Sequence, residues 1–237
     1  MNLSGMAENK IGILSTRELS PELLQKTALQ NINVEAYAFI EIIPNVSQET
    51  TALIQSLAKQ QLAVIFTSVN AVNAITTRLT AAPAWKIFCV GGATKNALLR
   101  FFNASCIIAT AKNAILLSEK IMVCGNVKEV TFFCGNLRMN HLPNRLSAGG
   151  IQVKEIMVYQ TELTPIAITK EYEAILFFSP SAVHSFFSIN TTPVNTVLFS
   201  IGETTTAAIE TYCNNKVITS SWPAEADMLE MATAYFK

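Results

Sequence analysis

VIFTSVNAVNAI (64–75) returns further along the chain as ILFFSPSAVHSF (175–186). Phe66, Ser68, Ala71 and Val72 are matched by Phe177, Ser179, Ala182 and Val183, each 111 residues later. A second pair keeps the same spacing. FCVGGATKNAL (88–98) meets FSIGETTTAAI (199–209), and Phe88, Gly91, Thr94 and Ala97 correspond to Phe199, Gly202, Thr205 and Ala208. Two separate motifs that hold one offset without an insertion predict an internal duplication.

Each motif is a short apolar run that ends in a small polar or glycine turn and passes into a helical pattern. The same alternation covers the chain. Strands are predicted at Ile11–Leu14, Ala63–Phe66, Ile87–Val90, Cys106–Ala109, Val130–Cys134, Ala174–Phe178, Val197–Ile201 and Lys216–Thr219. Most are apolar at consecutive positions, as strands covered on both faces are. Helical spacing follows in Pro21–Gln30, Ala71–Leu79, Lys95–Phe102, Ala114–Val123, Ala182–Phe187 and Thr205–Cys213. The result is an α/β chain built from βαβ units.

The duplication is not simply tandem. FFCGNLR (132–138) is a strand with an Arg-bearing loop, and its nearest counterpart is IGILSTR (11–17), at the other end of the chain. This predicts two flavodoxin-like parallel-sheet domains joined by a two-stranded hinge. Residues 1–37 and 163–237 form a discontinuous first domain, residues 42–154 an inserted second one, and 38–41 with 155–162 the linking strands. Thinly connected domains are expected to move relative to each other unless their interface is large.

Composition limits the function. The 237 residues are 50% hydrophobic and 14% charged, so the chain folds around a core. Lys plus Arg equals Asp plus Glu at 17 each, which leaves no basic field for nucleic acid or an anionic membrane. No apolar run reaches the roughly 18 residues of a membrane span, and the N-terminal MNLSGMAENK has neither a signal core nor an Arg-rich pattern. A cytoplasmic location is expected. Cys89, Cys106, Cys124, Cys134 and Cys213 form no CxxC, and read as buried free thiols.

Candidate chemistry is sparse. Ser68 and Ser179 end strands where helices begin, and Pro180 after Ser179 suits a first helical position. Thr94 and Thr205 fall in first helical turns after Gly91 and Gly202. All four read as helix caps, or together as rims at the carboxyl ends of strands, where ligands of open parallel sheets bind. N–H groups and the positive helix dipole there favour an anion, so two such rims around a cleft suit a polycarboxylate or polyphosphate. Neither GxGxxG nor GxxxxGK[ST] is present, which argues against a nucleotide. His141 and His184 lack the spacing of zinc ligands, and no GxSxG elbow occurs. Glu225 and Asp227 read as a solvated helix face. Arg17 and Arg138 follow strands and suit a carboxylate partner, from a ligand or from a surface acid. Tyr159 lies on a linking strand, as a buried structural tyrosine or as a phenol facing the cleft.

FTSVNAV, VGGATKNA, VYQT (158–161), FFSPSAV and IGETTTAA, in this order, resemble the uroporphyrinogen-III synthase family over nearly the whole chain after Lys10. The resemblance implies two α/β domains joined by a two-stranded ladder, the first made from both chain ends. It implies a reaction without cofactor or metal. Hydroxymethylbilane loses its terminal hydroxyl to give an azafulvene. Attack through a spiro intermediate then closes the ring with the last pyrrole inverted, giving uroporphyrinogen III, whereas uncatalysed closure gives the non-inverted isomer. On the matching positions, Ser68, Thr94, Ser179 and Thr205 become substrate contacts, joined by Arg17 and Arg138 as candidates, and Tyr159 becomes the group that assists hydroxyl loss. Functional coupling to hydroxymethylbilane synthase and a monomeric state are expected. A non-catalytic two-domain module that closes on an anion or small solute is the alternative.

Overall fold

The computed structural model describes residues 10–28, 31–45, 47–221 and 224–237. The N-terminal stretch read for targeting signals, the first nine residues assigned to the first domain, and the last two of the predicted helix 21–30 lie outside the described residues. The chain divides into two compact units, 1–41 with 163–237, and 42–162.

The first unit is a five-stranded sheet. Its strands are β1 (Ile11–Ser15) and β2 (Ile32–Ala36) from the N-terminal part, then β9 (Ala174–Phe177), β10 (Val197–Ser200) and β11 (Val217–Thr219). They lie in the order β11-β10-β9-β1-β2, every neighbouring pair parallel. Helices α1 (Pro21–Ala28) and α9 (Glu225–Tyr235) supply one cover, α7 (Pro180–Phe187) and α8 (Glu203–Glu210) the other. Adjacent residues of one strand point to opposite faces. Leu14, Ile175 and Phe177 accordingly pack with Val183 and Ile209. Ile13, Ala174 and Leu176 pack with Met228 and Ala232.

The second unit follows the same plan. β4 (Ala63–Phe66), β5 (Lys86–Val90), β6 (Ile107–Ala111), β7 (Glu129–Gly135) and β8 (Gln152–Leu163) are joined at the edge by β3 (Ile40–Pro44), in the order β3-β8-β7-β4-β5-β6. One face carries α2 (Gln48–Ala58), α3 (Val69–Thr76) and α4 (Ala93–Leu99) over Val64, Phe66, Ile87 and Phe133. The other carries α5 (Ala114–Val123) and α6 (His141–Ala148) over Ile65, Phe88, Val130 and Phe132. Phe133 is fully buried between Phe66 and Trp85, with ring centroids at 5.4 and 5.5 Å. The chain passes between units in β3 and β8. Asn45 N–H donates to the Val158 carbonyl at 3.0 Å and Thr164 N–H to Phe39 at 3.0 Å, so the two linking strands run antiparallel.

Strand order reveals how the two units are related. Ranked along the chain within the first unit, the sheet reads 2-1-3-4-5, the flavodoxin-like order. The second unit gives the same order if β7 and β8 stand for β1 and β2, and β4, β5 and β6 for β9, β10 and β11. Two of these last three pairs sit at the 111-residue offset, Ala63 with Ala174 and Lys86 with Val197, while β6 and β11 begin at Ile107 and Val217, one residue short of it. The second unit is therefore a circular permutation of the first.

One detail of the sequence reading is corrected. Ile65 and Phe66 lie beside Phe132 and Phe133, while Ile175 and Leu176 lie beside Leu14 and Ser15. Transferred by 111 residues, this equates Ser15 with Phe132 and Thr16 with Phe133, so FFCGNLR and IGILSTR are four positions out of step. Arg17 and Arg138 are not counterparts. β7 simply runs two residues longer than β1. All five cysteines are free, but only Cys89 and Cys134 are fully buried.

Candidate active site

The carboxyl ends of β4, β7 and β8 converge in the second unit. Ser68 caps α3, its Oγ accepting from Asn70 N–H at 3.1 Å. The last paired residues of β4 and β7 are Phe66 and Phe133, and two residues further along both chains this register sets Ser68 level with Gly135. Gly135 in turn is level with Tyr159 on β8. Three neighbouring strands thus align a serine, a glycine and a tyrosine in one row. The missing side chain in the middle lets the ring of Tyr159 lie across β7. A Cβ at Gly135 would stand 2.5 Å from Cε2 and Cζ of that ring. The phenol lies beside Ser68, near enough for that hydroxyl to influence its protonation.

Burial dominates the electrostatics of this row. It raises the Tyr159 pKa above its ordinary 10, against the opposing pull of the nearby Ser68 hydroxyl. The Cys134 thiol is pushed up to about 11, again mainly by burial. Both groups are neutral near pH 7, so the row offers a proton donor and no nucleophilic thiolate.

Thr94 sits in the first turn of α4 and is 6% exposed. The α4 cap is Gly92, at φ 66°, with no side chain bonded to the helix start, and the first turn holds no acid. Arg138 is held by Glu155 and by Asn140 Oδ1, the latter at 3.0 Å. Of the second unit's candidates, the structure brings Ser68 and Tyr159 together.

In the first unit, Ser179 caps α7 through Ala182 N–H at 3.1 Å, with Pro180 next to it as read from the sequence. Thr205 is 1% exposed in α8, whose cap, Gly202, again bonds through no side chain. Its neighbour Thr206 has the richer polar environment, shared with the Ser200 and Thr219 hydroxyls. Arg17 pairs with Glu225 at 2.9 Å and lies over the Phe178 ring at 5.4 Å. Glu225 is thus an ion-pair partner, not merely part of a solvated face. His184 meets the Tyr212 hydroxyl at 2.9 Å. Among the described residues no cluster of three or more His, Cys, Asp or Glu could hold a metal, and no helix is long and apolar enough to cross a membrane.

A family model described as uroporphyrinogen-III synthase HemD matches residues 22–230. The chain belongs to the uroporphyrinogen-III synthase family. As such a synthase it is a cyclising lyase of tetrapyrrole and haem biosynthesis, acting on hydroxymethylbilane. Solved synthases share its fold. That of Helicobacter pylori has a TM-score of 0.61 at 18% identity, over 95% of this chain and 99% of that one. A mutant form of the Thermus thermophilus synthase reaches 0.67 at 12% identity, covering 96% and 100%, and its wild type 0.54 at 14%, covering 95% and 98%. No curated protein sequence matches this synthase significantly.

Two residues of the synthase row escaped the sequence reading. Gly135 and Asn136 stand in FFCGNLR, read there only as a strand and its loop. A glycine after a strand signals a turn or a close approach, and the register across three strands decides which.

Proposed function

We propose that Tyr159 assists the departure of the hydroxymethylbilane hydroxyl in the synthase reaction, and that the helix starts after β4, β5, β9 and β10 hold the substrate carboxylates. The observation that carries this reading is the neutral, half-buried phenol beside Ser68, its ring laid across Gly135 at the carboxyl end of the sheet.

The steps follow from the substrate's chemistry. The carbon–oxygen bond breaks, the Tyr159 phenol donates toward the departing hydroxide, and water leaves. The pyrrole nitrogen of that ring releases its proton as the azafulvene forms. The far pyrrole carbon then attacks the azafulvene, whose nitrogen takes back a proton, and fragmentation with re-closure inverts ring D. A proton lost on rearomatisation balances the one given to the leaving group. A phenol whose pKa lies above 10 is a weak acid at pH 7, so its part is chiefly a hydrogen bond that strengthens as negative charge grows on oxygen.

Positioning supplies the rest. A flexible polycarboxylate must be folded so that its two ends meet. Helix starts can hold carboxylates without net positive charge on the protein. Thr94 and Thr205 are buried, so their turns contribute mainly through backbone geometry, whereas Ser68 and Ser179 are half-exposed. We further propose a cytoplasmic monomer that receives its substrate from hydroxymethylbilane synthase.

Tyr159→Phe tests the assignment. Turnover should fall by about 10²-fold, the lower end of general acid contributions, while the product stays the inverted isomer because positioning is untouched. Unchanged turnover would remove Tyr159 from the chemistry.

A further inference from the structure

The row at the end of β7 holds Tyr159 in two ways that the reaction itself does not use. The first is the space at Gly135. A Cβ there would meet Cε2 and Cζ of Tyr159 at 2.5 Å and its Oη at 2.9 Å. Gly135 is not among the glycines with positive φ, which are Gly92, Gly125 and Gly150. Its backbone would accept any residue, and only the ring forbids one.

The second is Asn136. Its Oδ1 accepts from Thr161 N–H at 2.7 Å and its Nδ2 donates to the Thr161 carbonyl at 3.2 Å. Where β7 ends, this one side chain takes both backbone groups of Thr161 on β8, as a neighbouring strand would. The clamp closes two residues beyond Tyr159. Just before it the register slips: Cys134 lies beside Met157, but Gly135 lies beside Tyr159, leaving Val158 as the extra residue. A bulge of this kind turns the following side chain. Val158 remains fully buried in the core while Tyr159 is aimed along the row.

We propose that Gly135 and Asn136 are positioning residues for Tyr159: the glycine opens the bed in which its ring lies, and the asparagine fixes the bulged strand that delivers it. The proposal rests on the reading of Tyr159 as the group that assists hydroxyl loss. It assigns these residues no contact with substrate.

The test compares the full-length wild type, Gly135→Ala, Asn136→Ala, Tyr159→Phe and the two double variants carrying Tyr159→Phe. The readouts are kcat, KM and the ultraviolet titration of the Tyr159 phenol, isolated by subtracting the Tyr159→Phe spectrum. Gly135→Ala should lower kcat by most of the factor lost in Tyr159→Phe, with KM changed less than about twofold. In the Tyr159→Phe background it should add nothing, since residues acting through one group are not additive. The phenol should titrate closer to its ordinary value in both single variants. Wild-type kcat in Gly135→Ala and Asn136→Ala, beside an impaired Tyr159→Phe, overturns the proposal. An equal further loss in the Tyr159→Phe background also overturns it, by showing a merely structural role. If Tyr159→Phe keeps full activity, the catalytic reading fails by itself, and the titration decides positioning: an unshifted phenol overturns it. Should Gly135→Ala fail to fold, Asn136→Ala carries the same comparisons.

Discussion

Tyr159 lies where a phenol keeps its proton. Burial disfavours the phenolate, which sets the folded pKa above the ordinary 10. A donor works only while protonated, so activity lost through this group is lost as pH rises. The same shift contributes stability that is complete below 10 and disappears as pH climbs through the folded value. The pH profile of kcat should therefore stay flat from about 7 to 9 as far as this phenol is concerned, with its alkaline limb above 10. Tyr159→Phe should lack that limb. A limb that persists unchanged in the variant would assign the titration to another group. At this scale the sequence was legible in part. Ser68 and Ser179 were read as helix starts from residue type alone, and both bond to the first turn of their helices. Gly135 was not legible as the bed of a ring, because its partner lies on the neighbouring strand behind a one-residue bulge.

Helices and strands divide in the same way. Strands buried on both faces were recognisable from consecutive apolar residues, as in AVIF and AILF. β2, INVEA, was missed because it buries little beyond Ile32 and mixes polar with apolar positions. α6, HLPNRLSA, was not among the helices read, since Pro143 suggests a break. It falls in the first turn, where a missing N–H removes no intrahelical bond. The caps make a prediction that separates stability from binding. Ser179→Ala should remove about 1 kcal/mol, lowering Tm by about 2–4 °C for a chain of this size. Ser179→Asp retains a capping oxygen and favours the helix dipole, so it should melt like the wild type. It also sets a negative charge against an acidic substrate, so its KM should rise. A normal KM in Ser179→Asp would take this helix start out of the substrate contacts.

Across the whole molecule, the repeat is the feature that made the architecture readable. The 111-residue spacing carries β4 and β5 onto β9 and β10, and the sheet order 2-1-3-4-5 recurs in both units once the permutation is allowed. The pairing of Arg17 with Arg138 fails in the same comparison because short Arg-bearing phrases align by eye four residues away from the true register. Both arginines engage acids of their own units, Glu225 and Glu155. A synthase of this design must choose between two ring closures, and that choice is what distinguishes it from a module that only binds. The most direct measurement is the isomer composition formed when the purified protein is coupled to hydroxymethylbilane synthase. The account predicts mostly uroporphyrinogen III, and a product that remains type I would contradict it.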